Sequence, residues 1–133
     1  MHNAQWFSPM KSDYDNIIVA KSKAFALRCI KLYEHVNKER HLYDLTRQLL
    51  RAGTSIGANV NEAVRAQSNA DFGTKMNIAL KEANESEYWL ELFEESEIIT
   101  QSQADSMLND CREIIRILMS IVKTTFDNIN RKQ

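Results

Sequence analysis

At 133 residues the chain is long enough for one compact domain and leaves no room for a second. Hydrophobic residues make up 44% of the chain and charged residues 26%, a composition that is typical of soluble globular proteins and excludes a mainly disordered chain. The net charge of −1 by itself argues neither for nor against nucleic acid as a partner.

Residues 1–15 are predicted to be an irregular N-terminal tail that contains Trp6, Phe7 and Pro9. This segment lacks the apolar middle of a signal peptide, and no apolar run in the chain approaches the ~20 residues of a membrane helix. We therefore expect a cytoplasmic protein without membrane contact. Two interpretations of the tail stay open: it is disordered, or its aromatic pair fastens it to the bundle or to a neighbouring subunit.

The first helix is predicted from about Asn16 to Lys38. Its apolar residues at spacings of seven, four, three and four form one face, which consists of Ile18, Phe25, Cys29, Leu32 and Val36. A second apolar strip lies beside it and consists of Val19, Ala26, Ile30 and Tyr33. A helix with two apolar sides is expected to contact two neighbours, one of which could be another subunit.

The second helix is predicted to begin near Leu42. Its inward residues recur at steps of three or four and are Leu45, Leu49, Ala52, Ile56, Val60 and Ala63. The periodicity runs through Gly53 and Gly57, whose small polar neighbours are also found in phosphate-binding loops. Such a loop needs a preceding strand and a following lysine, and the sequence has neither here. Two glycines one turn apart in a helix instead allow another helix to approach closely.

Two S-x-x-D patterns are predicted to cap the last two helices, at Ser68 with Asp71 and at Ser102 with Asp105. The inward residues of the third helix are Phe72, Met76, Leu80, Ala83, Leu90 and Phe93. Those of the fourth are Leu108, Cys111, Ile115, Leu118 and Val122. Four long helices joined by short connections predict an all-α fold, an antiparallel up-down four-helix bundle over residues 16–128 with a C-terminal tail at 129–133.

The sequence predicts no catalytic residue, no metal site and no cofactor. Metal sites in bundles use Glu-x-x-His motifs, and neither His35 nor His41 has a glutamate three residues before it. Cys29 and Cys111 lie on aliphatic faces, which is typical of buried reduced thiols rather than of a disulfide or a nucleophile. We therefore expect a protein that is not an enzyme and has no small-molecule substrate.

Charge is distributed unevenly along the chain, with +4 in residues 11–51, −8 in residues 62–110 and +3 in residues 111–133. The basic residues that fall on helical stripes are Lys21, Arg28, Lys31 and Lys38, then Arg47 and Arg51, then Arg112 and Arg116. Such stripes could contact the phosphates of RNA. The alternative is a solvated cationic face that pairs with the acidic third helix, and the sequence leaves both interpretations open.

Two stretches resemble a known family. "QLLRAGTSIGANVNEAVRA", residues 48–66, and "KEANESEYWLELF", residues 81–93, are similar to the four-helix-bundle family of 23S rRNA-intervening-sequence proteins, also called the S23 ribosomal protein family. The resemblance extends over about residues 14–126. We interpret its most specific positions as a helix-packing signature that comprises Gly53, Ser55, Ile56, Gly57, Asn59, Glu62, Tyr88 and Trp89.

The resemblance implies four antiparallel helices that assemble into a homopentamer, and a biochemical activity that is largely unassigned. A related branch is the accessory protein of diversity-generating retroelements, a basic pentamer that binds nucleic acid and a reverse transcriptase. The near-neutral charge of this chain departs from that branch. Two hypotheses result: a non-enzymatic oligomeric scaffold that binds RNA or a nucleic-acid-bound protein through its basic stripes, and a protein–protein interaction module without nucleic-acid binding.

Overall fold

The computed structural model describes residues 13–131, with side chains from residue 16. Its four helices are α1 (Asp13–Asn37), α2 (Tyr43–Ala63), α3 (Asn69–Glu95) and α4 (Gln101–Arg131). The first helix thus begins within the predicted N-terminal tail, and the last helix ends beyond residue 128. The sequence did not predict these end turns because they contribute few core residues and therefore show little apolar periodicity. The aromatic residues of the tail lie outside the described residues.

The four helices form an antiparallel up-down bundle, as predicted. Each helix packs against the next, and α1 also packs against α4, whereas α1 and α3 lie at opposite corners without contact. Across α1 and α4 the order of contacts is reversed, since Lys21 binds Glu113 and Arg28 binds Asp110. The same reversal relates the other neighbouring pairs. Within the described range, no helix is both long enough and apolar enough to cross a membrane.

Aliphatic and aromatic side chains fill the centre of the bundle. The largest fully buried residues include Phe25, Ile56, Phe72, Leu90, Phe93 and Leu118. The prediction that Leu45 faces the core is wrong. Leu45 is 43% exposed, because it lies in the first turn of α2, at the end of the bundle. Its neighbour Thr46 is buried instead, where its hydroxyl oxygen accepts a 2.8 Å hydrogen bond from Asn37 Nδ2.

The two predicted helix caps differ in outcome. Ser68 Oγ accepts a 3.0 Å hydrogen bond from the backbone N–H of Asp71, which confirms the cap of α3. The cap predicted at Ser102 and Asp105 is wrong, because α4 begins at Gln101. Thr100 and Gln103 cap it instead, each side chain accepting a hydrogen bond from the other's backbone N–H at 3.1 and 2.9 Å. This reciprocal pair satisfies two backbone donors at once.

The glycines of α2 lie in the middle of the helix and face α1. A Cβ atom added at Gly53 would collide with Cys29 Sγ, and one added at Gly57 would lie 3.4 Å from the carbonyl oxygen of Ser22. The backbones of α1 and α2 are therefore close enough that a larger side chain at Gly53 has no room. The stretch is a packing surface, and the phosphate-loop interpretation does not apply.

Candidate interaction surfaces

Two of the four residues of the basic stripe predicted on the first helix form ion pairs along the edge between α1 and α4. Lys21 Nζ lies 3.0 Å from Glu113, and Arg28 lies 2.6 Å from Asp110 while its second terminal nitrogen donates to Ser106 Oγ. These arginine and lysine side chains therefore hold α1 against α4. Because Lys21 and Arg28 each have a carboxylate beside them, these two residues present little net positive charge to a phosphate backbone.

The acidic helix α3 is bound by an arginine on each side. Arg51 of α2 binds Glu82 and Glu85, and Arg112 of α4 binds Glu87 and Glu91. The hydrogen bonds that the guanidinium groups donate to these glutamates, foremost to Glu85 and to Glu87, raise the pKa of both arginines further above their ordinary value. Two of the predicted nucleic-acid contacts thus serve as links between neighbouring helices. This is the pairing with the acidic third helix that the sequence left as an alternative.

The other four predicted basic residues are scattered. Arg47 pairs with Asp44 one turn earlier in α2 at 3.4 Å. Lys31, Lys38 and Arg116 make no ion pair with any carboxylate of the described residues. Lys31 lies on α1 and Lys38 in the turn that follows it, whereas Arg116 follows Arg112 by one turn and so lies on the α3 side of α4. The structure therefore does not bring the eight basic residues together on one face.

A groove of about 400 Å³ lies between α1 and α4, and we call it the α1/α4 groove. Its lining surface is mostly apolar and includes two cationic side chains. The lining residues are Leu27, Arg28, Lys31, Leu32, His35, Gln103 and Met107. Leu27 is 54% exposed, which is unusual for a leucine beside a cavity. Sequence reasoning missed this groove, although the outward spacing of Ile17, Ala20, Ala24 and Leu27 marked a third apolar strip on α1.

A second exposed surface runs along α3, and we call it the α3 stripe: Ile78, Glu85, Tyr88 and Leu92. Tyr88 is 55% exposed, so the prediction that it packs between helices is wrong. Its ring meets the edge of Trp89 with centroids 5.2 Å apart, and Trp89 Nε1 donates a 3.0 Å hydrogen bond to Glu85. This hydrogen bond, followed by that from Arg51, lowers the pKa of Glu85. The stripe is therefore ordered by contacts within α3 and from α2.

The remaining signature residues divide between packing and polar contacts. Ile56 is fully buried, whereas Ser55 and Asn59 donate to backbone carbonyls one turn earlier in their own helix, at 2.6 and 2.8 Å. Glu62 is exposed and pairs with Lys75 of α3 at 3.1 Å. The signature therefore marks the faces with which α2 meets α1 and α3, and it contains no group of catalytic residues.

The two cysteines are free and buried, as predicted. Burial, reinforced by the nearby Cys111, raises the pKa of Cys29 from 9.0 to about 12. Burial together with Glu87 does the same for Cys111, whose thiol donates to the carbonyl oxygen of Ala83 at 3.3 Å. A thiol with so high a pKa is a poor nucleophile and a poor metal ligand. Across residues 13–131, no cluster of three or more histidine, cysteine, aspartate or glutamate side chains could hold a metal ion.

Comparison with known proteins relates this bundle to one family. Residues 14–120 match the family of 23S rRNA-intervening sequence proteins. A solved relative is a protein of unknown function from the S23 ribosomal protein family of Bacteroides thetaiotaomicron VPI-5482, whose crystal structure was determined at 1.70 Å. It is 52% identical, the matched region covers 83% of this chain and 98% of that chain, and the TM-score is 0.81. A comparison with curated proteins finds no match.

The match of the family over most of the chain agrees with the fold and with the positions of the glycine-containing stretch of α2 and the aromatic pair of α3. This chain belongs to the family of 23S rRNA-intervening sequence proteins.

Proposed function

We propose that the protein is a non-enzymatic scaffold that assembles from identical subunits and contacts protein rather than nucleic acid. The observation that carries this proposal is the exposure of large apolar side chains on two unlike surfaces, the α1/α4 groove and the α3 stripe. Leu27 and Tyr88 are each more than half exposed in the single chain. Leaving such side chains in water is costly, and exposed apolar patches of this kind mark protein interfaces.

The distribution of charge supports protein as the partner. Five of the eight candidate basic residues already lie within 4.0 Å of a carboxylate, so they are less available to neutralise phosphates and to release the cations condensed on a nucleic acid. Of the other three, Arg116 lies on a different side of the bundle from Lys31 and Lys38. A phosphate-binding surface in this fold would need neighbouring cations without carboxylates between them.

The polar groups of the groove support a non-enzymatic role. Arg28, Lys31 and His35 are its only ionisable lining residues, and none of them has a nucleophilic side chain beside it in the lining. The thiols, which are the strongest potential nucleophiles among the described residues, are buried with raised pKa values. An apolar groove that has no base and no nucleophile within reach of each other is suited to binding a partner rather than to catalysis.

The resemblance to the family implies five subunits, and we adopt a homopentamer as the proposed state. The full chain is tested at micromolar concentration by size-exclusion chromatography with light scattering. We expect a single oligomeric species. Its mass should be five times that of the 15.4 kDa chain. A monodisperse monomer over the same concentration range would overturn the proposal, because an exposed apolar surface then has no subunit to cover it.

Nucleic acid is tested separately with a labelled 23S rRNA fragment. At physiological salt we expect no saturable binding, because paired surface charges contribute little counterion release. The matched variant is Lys31→Ala/Lys38→Ala, which removes the two lysines of the predicted basic stripe that form no ion pair with a described carboxylate. Saturable binding that this variant abolishes would show an RNA-binding scaffold and would refute the assignment of protein as the partner.

A further inference from the structure

We propose that the α1/α4 groove of one subunit receives the α3 stripe of the next, so that two unlike surfaces form one head-to-tail interface. This inference rests on the self-assembly proposed above and assigns the surfaces that carry it. Five observations support a second copy of the chain as the occupant of the groove: apolar complementarity, charge, height along the bundle, the spacing of outward residues and the separation of the two surfaces within one chain.

The apolar parts of the two surfaces are complementary. The groove offers a cavity of about 400 Å³ floored by Leu32 and Met107, with Leu27 at its edge. The stripe offers Tyr88 at 55% exposure, with Leu92 one turn further along α3 at 37%. An exposed tyrosine that enters an apolar cavity is the kind of anchor that dominates protein interfaces, because it buries a large area and loses few rotamers.

The charges of the two surfaces are opposite. Lys31 lines the groove and forms no ion pair with a described carboxylate. The part of α3 and its following turn from residue 82 to residue 97 carries seven glutamates and no lysine or arginine. Of these, the carboxylates of Glu94, Glu95 and Glu97 form no ion pair among the described residues, although Arg40 donates a 3.0 Å hydrogen bond to the backbone carbonyl of Glu97. The unpaired ammonium group of Lys31 in the groove thus meets an acidic helix end, which favours this orientation over alternatives.

The two surfaces lie at the same height along the bundle. Arg28, next to Leu27, binds Asp110 of α4, and Arg112, half a turn further along α4, binds Glu87, next to Tyr88. Rotation about an axis parallel to the helices changes no height, so a ring of this kind places Leu27 opposite Tyr88.

The spacing of outward residues is also the same on both helices. The exposed residues of α1 include Ile17, Ala24, Leu27 and Lys31, and the α3 stripe consists of Ile78, Tyr88 and Leu92, which are exposed, and of Glu85, which is half-buried. Steps of seven, three and four residues separate the members of each set. Because both helices run in the same direction in an up-down bundle, the two sets stay in register over their whole length.

The two surfaces cannot cover each other within one chain. The helices α1 and α3 lie at opposite corners of the bundle and make no contact. The groove and the stripe differ in sequence and charge, so each needs a different partner surface rather than its own copy. An interface between unlike surfaces is heterologous and closes into a ring when the rotation permits.

The test uses two variants that each disable one surface, Leu27→Glu in the groove and Tyr88→Glu in the stripe. Each variant retains the other surface, so each alone is expected to elute as a 15.4 kDa monomer. An equimolar mixture is expected to form a one-to-one heterodimer by light scattering, because one intact groove and one intact stripe remain. Circular dichroism checks that both variants keep the helical fold, which we expect since both side chains are exposed.

The matched control is Met119→Glu, which places the same charge at a methionine that is 57% exposed. Met119 follows Arg112 by two turns and therefore faces the α3 side of α4, away from the groove. We expect this variant to keep the assembly of the unmodified protein. A loss of assembly in this control would show that any added surface charge disrupts the oligomer, and would overturn the assignment.

The outcomes separate this inference from the proposed function. A monomeric unmodified protein overturns both. If both Leu27→Glu and Tyr88→Glu remain oligomeric, the proposed interface is wrong, whereas the proposal of self-assembly is retained. The groove would then bind a different partner. Monomeric variants that do not associate on mixing overturn the head-to-tail arrangement, because an interface made from two copies of one surface cannot be restored in this way.

Discussion

The two sides of α1 show how side-chain size decides whether neighbouring helices close on each other. Towards α2, Gly53 leaves room only for Cys29, and Gly57 lies close to the backbone of Ser22. Towards α4, the contact is made by long side chains such as Arg28, and a groove of about 400 Å³ remains beside it. One side of the helix is therefore a closed packing surface and the other an open binding surface.

The difference assigns different properties to residues on the same helix. Residues on the α2 side contribute to the stability of the single chain, because any enlargement there must displace backbone or a buried thiol. Those on the α4 side contribute little to the fold and are available to a partner. Changes on the two sides should therefore separate stability from assembly.

Among the single substitutions, the largest loss of stability is expected at Gly53→Leu, which disrupts the packing of α2 against α1. The added side chain collides with Cys29 Sγ, so we expect a loss of roughly 3 kcal/mol in the free energy of unfolding. Urea denaturation followed by circular dichroism measures it. The control is Ala58→Leu on the exposed face of the same helix, with a change within about 0.5 kcal/mol. Equal effects at the two positions would show that the glycine has no special packing role.

Alkaline pH tests the same closed side through its thiols. The pKa of each cysteine is raised from 9.0 when exposed to about 12 in the fold, so the folded state holds the proton more tightly than the unfolded state. The resulting stability is fully present below pH 9.0 and is lost as pH rises towards about 12. We expect a decline of roughly 1.4 kcal/mol per cysteine per pH unit in that window.

The readout is the difference in unfolding free energy between the unmodified protein and Cys29→Ala/Cys111→Ala as pH rises. This comparison removes the contributions of lysine and tyrosine titration, which both proteins share. Parallel pH curves for the two proteins would contradict the burial of the thiols.

A smaller loss is expected at Thr46→Val, at the end of the contact between α1 and α2. The hydroxyl of Thr46 accepts a hydrogen bond from buried Asn37, whose own side-chain oxygen already has no partner among the described residues. Removing the acceptor leaves a buried donor unsatisfied, so we expect a loss of about 1–2 kcal/mol. Thermal unfolding measures it. Thr54→Val serves as the control, since the hydroxyl of Thr54 donates only to carbonyl oxygens of its own helix.

The smallest effect on stability is expected at Arg28→Ala, on the open side. Arg28 and Asp110 are partly exposed, with 39% and 48% of their side chains accessible, so solvent screens the ion pair. We expect a loss below about 1 kcal/mol, similar to that of Arg47→Ala, which breaks an exposed pair within α2. Chemical denaturation of both variants provides the measurement. A loss of several kcal/mol at Arg28 would show that the α1/α4 contact is as closed as the α1/α2 contact.

Helix number, packing faces and the role of the glycines could be predicted from the sequence, because all three follow from a 3.6-residue period. The exceptions have local causes. Leu45 obeys the period but lies at the end of the bundle, and Thr100 competes with Ser102 as a cap within the same short connection. The apolar periodicity of one helix does not reveal where the neighbouring helix ends, nor which of two nearby side chains caps a helix.

The interaction surfaces could not be predicted in the same way. The partners of Arg51 and Arg112 depend on which helices are neighbours, and a stripe on one helix does not reveal the carboxylates of another. The α1/α4 groove is built from side chains far apart in sequence, such as Leu27 and Met107. Tyr88 was assigned to packing because family signatures do not distinguish an aromatic that holds a bundle together from one on its surface.

The most direct test of the account is chemical cross-linking of Leu27→Cys/Tyr88→Cys with a short bis-maleimide. The native cysteines stay unreactive because burial raises their pKa values to about 12. Since α1 and α3 do not touch within a chain, a link between the new thiols must join two subunits. Head-to-tail assembly predicts a ladder of multiples of 15.4 kDa on a denaturing gel, with no ladder from either single variant. A double variant that remains oligomeric in solution yet gives only the monomer band would contradict it.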